Sequence, residues 1–177
     1  MTVIDLVTDI DAPIERVFDL ARDLDLHARS MAHTGERAVA GRITGLAEVG
    51  DTVTWRARHF GRWWSLTSRI TSVDAPVRFE DVQERGPFAC FRHEHRFERL
   101  GDGTRMHDHW EHRSPLGALG RMVDALVLGR YMRALLVTRN DALKREAERR
   151  AREARAATQR AVNNADTRLW TTADLNV

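Results

Sequence analysis

The chain has 177 residues with 28 Lys+Arg, 26 Asp+Glu and a formal net charge of +2. That length suits one domain, able to bury roughly 68–70% of its unfolded surface without a covalent staple. The single cysteine, Cys90, excludes an intrachain disulfide and suits a reducing compartment. No apolar run approaches the ~20 residues of a bilayer span. Met1–Ile10 alternates, unlike the basic start and apolar core of a secretory leader, so the expected location is cytoplasmic.

Val3–Asp9 alternates polar and apolar residues and predicts a first strand. Asp11-Ala12-Pro13 then places a proline where a helix opens, and Ile14, Val17, Phe18 and Ala21 recur at helical spacing through Arg22. A second short helix is predicted over Leu24–Met31. From Ala38 the period becomes two. Ala38–Thr44, Thr52–Phe60, Trp63–Val73, Val77–Glu84, Ala89–Arg99 and Thr104–Arg113 read as strands between Gly, Asp-Gly and Asp-Ala-Pro turns. Gly101-Asp102-Gly103 marks a hairpin. Six strands joined this tightly imply an antiparallel meander, since parallel crossovers need a dozen or more residues.

After Ser114-Pro115 the period returns to helical. Leu119, Met122, Val123 and Leu126 start a stripe that Tyr131, Leu135, Leu136, Ala142 and Leu143 continue. From Lys144 the stripe is expected to stop, and Asn163-Asn164 to end the helical pattern. Lys144–Arg160 carries seven basic and three acidic residues and reads as a solvated helix end, not a nucleic-acid or membrane face. The expected organisation is a domain over residues 1–149 and a basic helical extension with a polar tail over residues 150–177.

Strand, two short helices, six strands and a long helix is the helix-grip order. The chain resembles the START-like (SRPBCC / Bet v 1-like) superfamily, nearest its bacterial polyketide-cyclase/dehydrase and lipid-transport members. The stretches that carry the likeness are Ala12-Pro13 with Val17-Phe18-Asp19, Gly35-Glu36-Arg37, His59-Phe60-Gly61, Phe79 with Asp81, Gly86-Pro87-Phe88, His93-Glu94-His95 and Gly103–Asp108. It spans about residues 1–145. The resemblance implies an α+β fold in which a curved antiparallel sheet of about seven strands wraps around the long C-terminal helix and leaves an internal cavity. Such folds host binding, transport and catalysis alike.

Alternation assigns the sheet faces. Phe91, His93, His95 and Phe97 are expected inward, opposite Arg92, Glu94, Arg96 and Glu98, which should be wet. Met106, Asp108, Trp110 and His112 share the inner face of the last strand, as do Phe79, Asp81 and Gln83 two strands earlier. Buried carboxylates and imidazoles are costly unless paired, so this set reads as a satisfied network, a functional one, or both.

Three functional versions follow. In ligand recognition, the polar set orients one end of a hydrophobic, aromatic or polycyclic molecule. Trp55, His59, Trp64, Leu66, Ile70, Phe79, Gln83, Phe91, Met106, Trp110, His112, Met122 and Leu126 then form the site. In acid–base catalysis of the cyclase, aromatase or dehydratase type, His93 and His95 are the bases and Asp81 or Asp108 orients them. In the third, His93-x-His95 with Asp108 or His112 would ligate a metal. The first is the expected function. No cofactor, metal or nucleic acid is assigned, nor stable membrane insertion, and a homodimer stays open. Cys90 is expected outward with nothing marking it as a nucleophile.

Overall fold

The computed structural model describes residues 1–115, 117, 122 and 127–173, the last ten by backbone alone. The strands are β1 (Thr2–Ile10), β2 (Arg37–Gly41), β3 (Thr52–His59), β4 (Arg62–Asp74), β5 (Arg78–Arg85), β6 (Cys90–Leu100) and β7 (Gly103–Arg113). The helices are α1 (Ile14–Arg22), α2 (Leu24–Ser30), a 3₁₀ turn at Ala32–Thr34, and α3 (Gly129–Ala173). The strands form one antiparallel sheet in the order β1-β7-β6-β5-β4-β3-β2. β2 to β7 form a meander. β1 joins beside β7, with Thr2 opposite His112 and Ile10 opposite Thr104. The curved sheet gripping a long helix, with two short helices after β1, is the helix-grip fold expected from the sequence.

α1 and α2 carry the chain from one edge of the sheet to the other. Asp23 ends α1 and caps α2, its Oδ1 accepting from the Asp25 and Leu26 amides at 2.9 and 3.0 Å. α1 buries Ile14, Val17, Phe18 and Ala21. Phe18 meets Phe79 and Phe97 edge-on, with ring centroids 5.9 and 5.4 Å apart. Met106, Leu143, Ala147 and Ala151 complete this cluster.

α3 packs on α1, α2 and β1. The apolar stripe does not stop at Lys144 as hydropathy suggests, because Ala147 and Ala151 are fully buried, at i+4 and i+8 from Leu143. Their small side chains bring α3 close to α1, a contact that hydropathy hides among charged neighbours. The helix also passes Asn163-Asn164 and ends at Ala173. No Gly or Pro interrupts it after Gly129, and Asn costs a helix well under ~1 kcal/mol. Arg133 and Lys144 donate to the Asp5 and Asp9 carbonyls of edge strand β1 at 3.3 and 2.7 Å, and Arg155 grips Asp11 through two hydrogen bonds.

The outer sheet face departs from expectation at one residue. Glu94 is only 2% exposed because Arg78, Arg92 and Arg96 lie across it. Arg92 Nε also reaches Glu80 at 2.8 Å. Burial alone would raise Glu94, but the hydrogen bonds and positive charge of these arginines outweigh it and hold the carboxyl below its ordinary value. Among the described residues no helix is long and apolar enough to cross a membrane.

Candidate functional site

The α1 cluster fills only part of the space between sheet and helix. Beyond it lies a cavity of about 610 Å³, bounded by β3–β7, α2 and the first turns of α3. Ligand pockets commonly measure about 300–1,000 Å³. The void exists because the sheet is lined here by Val53, Ala57 and Ser68, which are too short to reach the helix. Aromatic and aliphatic side chains form most of the wall. Trp55, Trp64, Leu66, Ile70, Phe79, Phe91 and Trp110 stand on the strands, facing Tyr131, Met132, Leu135 and Leu136 of α3.

Two loops shape the mouth. In the β3–β4 turn Phe60 has φ 50° and Gly61 φ 77°, left-handed values that reverse the chain within two residues. Phe60 leans on Tyr131, and His59 Nδ1 lies 2.7 Å from the Tyr131 hydroxyl, joining hairpin to helix. Burial lowers the His59 imidazole and raises the Tyr131 phenol. In the β5–β6 loop, Gln83 binds the Phe88 backbone through its amide nitrogen (2.8 Å to the carbonyl) and its oxygen (3.4 Å from the N–H). A Cβ at Gly86 would lie 2.6 Å from the Gln83 oxygen, so glycine there lets the side chain fold back. Phe88 is thereby held against the cavity beside Trp110.

Register assembles the polar wall. Phe79 stands opposite His95 and Asp81 opposite His93, while His95 and His93 stand opposite Asp108 and Trp110. His95 and His93 both point at Asp108 Oδ1, the latter through Nε2 at 3.4 Å, and Asn140 of α3 donates to Oδ2. Asp81 Oδ1 lies 4.0 Å from His93 Nδ1. On its other side His95 Nε2 faces the Arg139 guanidinium at 3.5 Å, and Phe79 stacks on the ring.

The charge states follow from these neighbours. Burial, His93 and Arg139 push the His95 imidazole well below its ordinary value, against the pull of Asp108, so the ring is neutral. Its neighbours assign the tautomer, with the Nδ1 proton toward the Asp108 carboxylate and Nε2 accepting from Arg139. Burial alone would raise Asp108, but its contacts with the two imidazoles outweigh it and hold the carboxyl well below its ordinary range. Asp81 goes the other way. Burial raises it despite attraction from His93 and Arg139 and a hydrogen bond with Ser68.

The expected site residues therefore divide. Trp55, His59, Trp64, Leu66, Ile70, Phe79, Phe91 and Trp110 line the cavity together with Asp81 and His93. His95 and Asp108 stand behind that wall, 1% exposed each. Met106 packs into the α1 cluster, and His112 is buried with its Nδ1 accepting from Trp110 Nε1 at 3.0 Å. Gln83 serves the β5–β6 loop. Met122 is 53% exposed and not part of the lining, and Leu126 lies outside the described residues.

Sequence reasoning misses Arg139, Asn140 and the pair His27–Glu36, joined at 2.6 Å beneath Trp55. A signal exists for Arg139, which lies midway between Leu135 and Leu143 on a stripe of i,i+4 positions. Asp81, His93 and His95 offer ligand atoms within 4.8 Å of one another, the spacing of a metal-binding group. Both ring nitrogens of His95 are engaged, however, and the Arg139 cation stands where it would repel an ion.

Known proteins place this architecture. No curated protein matches the sequence. Among solved structures, TTHA0849 from Thermus thermophilus is 20% identical, covering 80% of this chain and 97% of its own, with a TM-score of 0.63. A START superfamily protein from Mycobacterium smegmatis is 14% identical over 83% and 97%, with a TM-score of 0.62. Major latex-like protein 151 from Panax ginseng is 12% identical over 82% and 97%, with a TM-score of 0.60. These likenesses establish the fold. Residues 1–148 match the family described as polyketide cyclase / dehydrase and lipid transport, and the chain belongs to that family.

Proposed function

We propose that the chain binds a hydrophobic, aromatic or polycyclic small molecule in the cavity, in the binding, transport or sequestration of a natural product. One observation carries this reading: a void of about 610 Å³ walled mostly by aromatic and aliphatic side chains, with Asp81, His93 and Arg139 among the few polar groups that line it. Such an arrangement favours an apolar body held in one orientation. The test is titration with a polycyclic aromatic probe, read through energy transfer from Trp55, Trp64 and Trp110. Saturable binding that disappears in Ala57→Trp, where the void is filled, supports the reading. Binding indifferent to that change sinks it.

A second reading, acid–base chemistry of the cyclase or dehydratase type, draws on a different observation. His93 faces the cavity with Asp81 on one side and Asp108 on the other. A carboxyl whose burial favours the protonated form beside an imidazole is a pair suited to moving a proton at an enolisable carbon. His93→Ala would then abolish turnover of a polyketone substrate while affinity changes little. Loss of affinity with no turnover in the parent protein would assign His93 to recognition instead.

A further inference from the structure

Two arginines line the cavity and are at least nine-tenths buried, and they are treated differently. Arg22, 7% exposed, is neutralised by Asp19 at 3.1 Å and Glu48 at 3.3 Å and donates to the Ala47 carbonyl at 2.8 Å. Arg139, 9% exposed, has no carboxylate within ion-pair distance among the described residues. Its contacts are the Ala21 carbonyl at 3.1 Å and the His95 ring at 3.5 Å. Asp108 stands behind His95, so the imidazole separates the two charges. A guanidinium carries five N–H donors in a rigid fork. Two of the five are used here, and Arg139 itself lines the cavity alongside Phe79, Leu135 and Leu136.

A buried cation without an opposite charge is expensive, and an anion placed against the fork offsets that cost through paired, charge-assisted hydrogen bonds. The remaining cavity carboxylates do not fill this role. Asp23 is committed to the α2 cap and Glu36 to His27, while Asp81 feels Arg139 only beyond ion-pair distance and pairs with neither arginine. We infer that Arg139 is an anion-recognition site, and that the cavity takes an apolar molecule bearing one oxyanion head such as a carboxylate, a sulfonate or an ionised enol. This rests on the cavity-binding reading and narrows its ligand class. His93 and Asp81 then flank the head group, and Trp55, Trp110 and Phe91 enclose the apolar body.

The experiment compares two probes that share a fused-ring body and differ in one charge, anilinonaphthalene sulfonate and neutral N-phenylnaphthylamine. The parent protein is expected to bind the sulfonate about tenfold tighter or more, roughly 1.4 kcal/mol. In Arg139→Met that preference should fall below about twofold through loss of sulfonate affinity alone, with Arg139→Lys between. Should the arginine variants not fold, displacement from the parent protein decides: decanoate should release bound N-phenylnaphthylamine at far lower concentration than decanol. Equal affinities for the two probes, or equal potency of acid and alcohol, overturn the anion site and leave the cavity reading standing. Failure of both probes to bind the parent protein overturns the cavity reading as well.

Discussion

The same sheet and the same helix enclose two unlike regions. On the α1 side, Phe18, Phe79, Phe97 and Met106 close-pack against Leu143, Ala147 and Ala151. On the α2 side, short residues on β3 and β4 leave the cavity. Between them runs the polar partition of His95, Asp108, Asn140 and Arg139. Packing at crystal-like density concentrates stability in the first region, which frees the second to keep surface that a ligand can cover. One wall serves both: Phe79 packs on Phe18 with one part of its ring and faces the cavity with another.

The largest effect tests the packed region. Phe18→Ala should cost about 3–5 kcal/mol in urea unfolding, because Phe18 is 1% exposed and its neighbours are held by the sheet. A loss below about 1 kcal/mol would mean that stability does not reside there. Next comes the partition. Asp108→Ala leaves two imidazoles and an amide facing a buried gap and should cost about 3 kcal/mol by the same measurement.

A matched pair sharpens the comparison. Ala147→Leu forces extra volume between α1 and α3 and should destabilise by about 1–3 kcal/mol. The same change at Ala57 enters the void, so thermal unfolding should move by no more than about 0.5 kcal/mol while probe binding weakens. Equal costs at both positions would show the cavity to be as tightly packed as the core.

The smallest effect depends on pH. A carboxyl raised on folding contributes stability below its unfolded value, and loses that contribution as pH rises through the folded value. Asp81→Asn should therefore match the parent protein in acid and be the more stable of the two at neutral pH. Asp108, lowered on folding, has the opposite sign, and its contribution is lost as the solution is made more acid. Urea midpoints measured from pH 7 downward read both slopes. A parent protein that stays the more stable at neutral pH would refute the penalty at Asp81.

Most of the fold is legible in the sequence because periodicity reports faces directly. The period-two runs place each strand within a few residues, and the inward sets Phe91–Phe97 and Met106–His112 are buried as alternation requires. What alternation cannot see is depth along one face. His95 and Asp108 share their face with His93, yet only His93 reaches the cavity, because α3 closes over the other two. Arg139 escapes notice because a cation in a helix ordinarily reads as solvated, and the leucines that contradict this lie four residues away on each side. Glu94 shows the converse, an outward residue buried by its own charged neighbours. The alanines of α3 stay hidden because hydropathy weighs size, whereas close approach rewards its absence.

The unbroken length of α3 has a further meaning. Sixteen residues, about 24 Å of helix, separate Arg139 at the cavity from Arg155 in its grip on Asp11. A guest that pushes the helix outward beside the cavity would tilt a stiff rod, and the resulting displacement would grow with distance along it. In that event the Arg155–Asp11 clasp would serve as a gauge of occupancy, and a spectroscopic label beside Asp11 would register the filling of a cavity it never touches.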